Sequence, residues 1–354
     1  MEKLFMVMIQ LFLISIPVLV SATELAVNQL TADRACQKCD LKQADLRSMD
    51  LHQADLRGAN LDYAMLYKTD LKGAQLEGAS LKGASFARAD LSGTNLQGHD
   101  LQRGKFSRAI LRGADLRNAN LREANLEGAD LTGANLSGAD LTSASLVRSQ
   151  LEGALFTDAV LDRANLRGLD LARVASVAGA RFKQSDLRQT KLTNLDLSGI
   201  DFSQAKLLKA DLSNTRSRDA LFIDAELKKA QFVGADLQQA NFEGARMNGA
   251  KLNGAKLQGA RLQGVEISGN LVGVDFSHAQ ISRVMFNGAN LKGASFRQAK
   301  LAFVDLEHTN LYGADFTGAV LHRCNLRKAN LREAVFDRVD LSGNLLEGAL
   351  GIAH

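Results

Sequence analysis

Residues 114–141 read ADLRNANLREANLEGADLTGANLSGADL, and leucine returns at every fifth position: Leu116, Leu121, Leu126, Leu131, Leu136 and Leu141. Two residues before each leucine stands an alanine, and two residues after it stands a glycine or a polar residue. An α-helix cannot use this spacing, because five residues at ~100° each turn successive leucines by about 140° and scatter them round the helix. A flat strand fails as well: five is odd, so neighbouring leucines would face opposite sides. A short strand ending in a corner does fit. Alanine points in, the next residue out, leucine in, and two outward residues turn the chain. Glycine gathers in the second of these, where a positive φ costs it nothing. The chain must coil, with leucine and alanine lining the inside.

The same period runs from Leu41 to Leu346. It slips twice, by one extra residue between Leu171 and Val177 and by one missing residue between Ile267 and Leu271. Phenylalanine tells how many repeats close a coil. Phe182, Phe202, Phe222 and Phe242 recur every twenty residues, as do Phe276, Phe296, Phe316 and Phe336, and so do Phe86 and Phe106. Four repeats per coil would stack these rings in columns at the ~4.8 Å spacing of neighbouring strands, whereas three or five would scatter them. The predicted coil has four sides.

The Ala-(Asp/Asn)-Leu-x-Gly unit, tandem from Cys39 to about Gly348, resembles the pentapeptide-repeat family. That resemblance implies an all-β fold, a right-handed quadrilateral β-helix (a solenoid) of about 15 coils and ~75 Å in length. The chain is read as a signal peptide (1–22), an N-terminal cap (23–38), the β-helix (39–348) and a C-terminal tail (349–354). Leucine and alanine should fill the interior and leave no ligand cavity. Both slips should fall at corners as tolerated bulges, with Leu169, Leu195 and Ile200 filling space near the first. His99, in an alanine slot, reads as a structural histidine, and Ser217, in a leucine slot, as a local weak point.

Met1-Glu2-Lys3, an apolar run from Leu4 to Val20 and the small residues Val20-Ser21-Ala22 have the layout of a secretory signal peptide. The rival reading is a membrane anchor, but the run is short for a span and contains Gln10 and Pro17. Cleavage after Ala22 would leave an exported chain, periplasmic or secreted, with no stable transmembrane segment. Residues 23–38 are expected to form a short capping helix with Leu25 and Leu30 facing the first coil. Few residues follow Leu346, so the C-terminal coil is expected to invite a partner or end-to-end self-association.

Cys36 and Cys39 are the local cysteine pair. An exported protein favours a structural disulfide over a redox or metal pair, pinning cap to coil. Secreted members of the resembling family look similar here, with a CxxCDL lead-in that Cys39-Asp40-Leu41 matches. Cys324 reads as a buried free thiol. The six histidines show no metal-ligand spacing, and the regular Asp and Asn before each leucine mark corner hydrogen bonding rather than an acid–base pair. No cofactor and no enzymatic activity are expected.

A net charge of +4, from 43 Lys+Arg against 39 Asp+Glu, is too small to announce a nucleic-acid binder. Some members of the resembling family mimic DNA and protect topoisomerases. Duplex DNA would demand about −3 per coil, so charge and leader both argue against that reading. An envelope enzyme with an unrecognised site is the other alternative. The leading expectation is an exported, non-enzymatic binding rod presenting flat side-chain faces to an unknown protein or an anionic envelope component. Counting every fourth centre, the side from Leu46 to Leu346 carries +7, and the other three carry +1, −1 and −3. Its candidate binding residues are Arg88, Lys105, Arg108, Arg148, Lys206, Lys209, Lys228, Lys229 and Arg246.

Overall fold

A computed structural model describes residues 21–352. It opens with helix α1 (Ala22–Asp33), started by a reciprocal cap: Ser21 Oγ accepts from the Glu24 N–H, and the Glu24 carboxylate accepts from the Ser21 N–H. Arg34 ends it in a left-handed conformation, its N–H returning to the Leu30 carbonyl. Leu30 and Ala26 are buried, whereas Leu25 is 66% exposed, so the expected inward pair is corrected. Positions five apart point about 140° from one another; positions four apart share a face. The leader reading lies outside the described residues, apart from Ser21 and Ala22. Among the described residues no helix is long and apolar enough to cross a membrane.

From Ala35 onward the chain coils, the residue before an inward centre pairing in parallel with its counterpart about twenty residues further on: Ala35 with Asp55, Asp40 with Asn60, Asp45 with Met65, Asp50 with Asp70. Leu116 shows the repeating bonds. Its N–H donates to the Asn135 carbonyl of the next coil at 2.8 Å, and its carbonyl accepts from the Ala119 N–H across the corner at 3.1 Å. Asn118, at that corner, has φ +55°. Asp115 Oδ1 accepts from the Arg117 N–H at 3.2 Å, the corner role expected of the residue before leucine. Longer strands form near the C-terminal end. Strands β1 (Arg246–Lys251) and β3 (Glu266–Asn270) pair in parallel, and β2 (Arg261–Gln263), β4 (Gln280–Ser282), β5 (Lys300–Ala302) and β6 (Val320–His322) form one parallel sheet.

The interior is a continuous column of leucine, alanine and phenylalanine. Phe182, Phe202, Phe222 and Phe242 stack in one file with ring centres 5.4, 5.2 and 4.9 Å apart. Phe276, Phe296, Phe316 and Phe336 do the same at 5.1, 4.8 and 5.0 Å. Where threonine replaces alanine inside, its hydroxyl donates to a nearby carbonyl, as Thr94 does to Leu91 and Thr190 to Leu187. Ser217 is satisfied by Thr215 at 3.0 Å, and His99 Nε2 sits 2.8 Å from the Leu76 carbonyl.

The coil count and the boundary of the cap both differ from expectation. Cys36 is buried and its N–H donates to Asp55, so it occupies the centre of a repeat and not the cap. Pairing continues as far as Leu350, which gives about sixteen coils at twenty residues each. A cysteine in a leucine slot hides this first repeat from a leucine count. The Cys36–Cys39 disulfide therefore braces the first corner within a coil, and the helix is held by Ala26 and Leu30 packing on that coil.

At the first slip Val174 turns inward to take the alanine slot and Ala175 is the residue pushed out. Partner spacing rises to twenty-one residues there, as in Leu155 with Ser176, and returns to twenty beyond it. At the second slip Gly269 serves as the corner of one repeat and the inward residue of the next, and spacing drops to nineteen, as in Arg261 with Gln280. Neither slip shifts a column to another side of the rod.

Candidate binding face

All nine candidate cations stand on one side. The file Ser85, Lys105, Asn125, Ser145, Asn165, Asp186, Lys206, Glu226 and Arg246 is connected rung by rung, across the first slip included. Each of the nine is exposed, because positions flanking a buried leucine must point out. Arg88, Arg108, Arg148, Lys209 and Lys229 occupy corner slots at φ +57° to +62°. Lys68 joins them at φ +59°; its ammonium and the Arg88 guanidinium lie 5.4 and 5.9 Å from the Tyr67 ring centre.

The cations differ in how far the rod already neutralises them. Arg148 lies 3.5 Å from Glu127 and is partly compensated. Lys206 and Arg246 share their file with Asp186, Glu226 and Glu266, so charge alternates along it. Burial alone would push the Asp186 carboxyl up, but hydrogen bonds from Arg188 outweigh it and hold the acid low. Those two residues are thus corrected as members of a like-charge stack. The uncompensated part is narrower: Lys68, Arg88 and Arg108 on three successive coils with Lys105 beside them, and Lys209 and Lys229 on two successive coils with Lys228 beside them. Among the described residues none of these seven comes within ion-pair distance of an acid. On the other sides many arginines are paired, as in Arg112–Asp130 at 2.5 Å, Arg122–Asp140 at 3.0 Å and Arg297–Asp315 at 2.7 Å.

One cluster escapes a reading along the chain. Asp50 and His52 on one coil and Asp70 on the next bring ligand-type atoms within 4.8 Å of one another. Arg34 already fills the charge requirement there, donating to Asp50 at 2.7 Å and lying 2.7 Å from His52 Nε2. Its only signal in the sequence is the twenty-residue spacing between Asp50 and Asp70. An open dent on another side, lined by Arg122, Asp140, Asp162 and Arg181, is likewise spanned by its own ion pairs. The apolar gap at the first slip, between Phe156, Leu166, Val177 and Phe182, has no room for a water molecule. Cys324 is buried, which pushes its thiol up and away from the reactive thiolate.

The family described as pentapeptide repeats matches in overlapping segments over residues 39–172 and 175–349. No curated protein matches the chain. Among solved structures, the chain is similar to HetL, a pentapeptide repeat protein involved in heterocyst differentiation regulation from the cyanobacterium Nostoc. That match is 27% identical and covers 66% of this chain and 84% of that one, with a TM-score of 0.18. QnrB1, a plasmid-mediated fluoroquinolone resistance protein, is 16% identical, with 73% and 92% covered and a TM-score of 0.25. A pentapeptide repeat protein from the Arabidopsis thaliana thylakoid lumen is 27% identical, with 40% and 69% covered and a TM-score of 0.13.

Proposed function

The chain belongs to the pentapeptide-repeat family, and on that footing we propose that it is an exported, non-enzymatic binding rod whose basic side holds an anionic component of the cell envelope. One observation carries the reading: Lys68, Arg88 and Arg108 rise on successive coils, and Lys209 and Lys229 do so further along, with no acid against them. Like charges ~5 Å apart repel by about 1 kcal/mol per pair even at the dielectric of water. A row of negative groups laid along the side would turn that cost into attraction. The rigid coil spacing fixes the charges in a line, so a binder need not order them first.

Export supports the choice of partner, and it is checked by sequencing the N-terminus of the protein recovered from the envelope fraction. Thr23 or a close neighbour is expected at the start; an intact Met1 on cytoplasmic protein would remove this part of the proposal. Binding is checked by capture from an envelope fraction on immobilised protein, eluted with rising salt. Native rod should retain an anionic component that the variant Arg88→Glu/Arg108→Glu/Lys209→Glu/Lys229→Glu does not. The final coil, where Phe336, Leu341 and Leu346 are only partly buried, is the place we propose for end-to-end self-association.

A further inference from the structure

A second surface, on a different side, has a different chemistry. Strands β2, β4, β5 and β6 lie side by side there, and Lys300 sits directly across from Val320, as Ala302 does from His322. Arg261 opens the sheet, and the corners following β4, β5 and β6 carry Arg283, Phe303 and Arg323 in turn. From Arg261 to Arg323 no outward position on this side is a carboxylate. Arg297, Arg327 and Arg338 on other sides are paired with acids, whereas Arg261, Arg283, Lys300 and Arg323 are not, among the described residues.

Large apolar side chains stand among these cations. Phe303 is 48% exposed and Val320 59%, with Met285 at 47% just round the corner from Arg283. The Phe303 ring is framed by the Arg323 guanidinium at 5.9 Å and by the His322 ring, edge-on, at 5.4 Å. Its backbone sits at φ +56°, a conformation that bulky residues rarely adopt and that glycine or asparagine would take at less cost. The filled core leaves the ring no inward place, so it is presented outward on a rigid corner.

We propose that this surface docks on an anionic phospholipid bilayer, with Phe303 and Val320 entering the headgroup boundary and Arg261, Arg283, Lys300 and Arg323 meeting phosphates. A bilayer takes both halves of the surface: apolar and aromatic side chains at the boundary, cations at the anionic headgroups. A hydrophilic polyanion would use the cations and leave Phe303 and Val320 in water. A second copy of the rod would bring four cations against four. Of the basic side from Leu46 to Leu346 only Met285, at its edge, comes near, and that side's cations are not involved.

Flotation of the full chain with phosphatidylcholine vesicles, with and without one-third phosphatidylglycerol, tests this. The apolar N-terminal segment is common to every sample, so the readout is the ratio of anionic to neutral binding. That ratio should be at least about tenfold at low salt, and should fall several-fold for Arg283→Gln/Lys300→Gln/Arg323→Gln, in which Arg261 and the basic side stay intact. Phe303→Asn should lower anionic binding about tenfold without lowering thermal stability, since asparagine accepts the positive φ; Val320→Ser gives the same readout on an ordinary backbone. The charge reversals that test the basic side should leave the ratio's dependence on Phe303 intact, so either proposal can fail alone. A ratio near one for the native chain overturns the inference. So does full anionic binding by both Phe303→Asn and Val320→Ser, which would assign the cations to a hydrophilic polyanion.

Discussion

Corner slots accept positive φ from many side chains here, among them Asn118, Arg108, Lys209 and Phe303. Glycine is therefore a convenience at most corners and a requirement at few. Gly133, at φ +66°, has open space where a Cβ would stand. Gly269 is different: its φ is +117°, and an added Cβ would lie 3.0 Å from the Ala250 carbonyl and 3.4 Å from Gly249 Cα. Gly133→Asn should change stability by less than about 0.5 kcal/mol, whereas Gly269→Ala should cost roughly 1–3 kcal/mol, read from urea unfolding midpoints. Equal losses would contradict this account of the second slip. The sequence shows glycine confined to corners; it does not show that one glycine serves two repeats, because that follows from how the missing residue is absorbed. Leu25 makes the same point at the cap, since apolar character names a candidate and helix geometry decides which face it takes.

At the scale of the coil, the five-residue period and the twenty-residue phenylalanine files make the four-sided interior legible in the sequence alone. The first repeat is not legible there, because Cys36 stands where leucine is sought. Packing at the slip is not legible either. Val177 is a valine in a leucine slot, and beside it lies the gap bounded by Phe156, Leu166 and Phe182. Val177→Leu would push one more methylene into a space too small for a water molecule, and it should lower stability by roughly 1–3 kcal/mol in denaturant unfolding. A gain of about 0.8 kcal/mol would mean that the bulge yields and the gap is a true packing defect.

Across the whole molecule, stability rests on a filled column and on acids bonded to neighbouring guanidinium and amide groups. Arg47 holds Asp45 below its ordinary range, Arg57 and Gln37 hold Asp55 well below it, and Arg117 holds Asp115 down. An acid whose pKa is lower folded than unfolded contributes stability that is present above the unfolded value, about 4, and lost as pH falls through the folded one. The melting temperature should therefore be insensitive to these pairs at neutral pH and fall below about pH 4. A decline already under way between pH 7 and 5 would point to other groups.

The proposed binding side is half legible in the sequence. Which residues share a side follows from counting repeats through both slips. Which charges remain unopposed does not, because Glu127, Glu226 and Asp186 act from neighbouring coils and only geometry tells a salt bridge from a near miss. The most direct measurement sets two variants of equal charge against each other on immobilised polyglutamate, across a salt series. One reverses Arg88, Arg108, Lys209 and Lys229 to Glu; the other reverses the paired Arg112, Arg122, Arg181 and Arg297. The first variant should lose salt-sensitive retention while the second keeps most of it. Equal loss in both would mean that net charge, and not one side of the rod, does the binding.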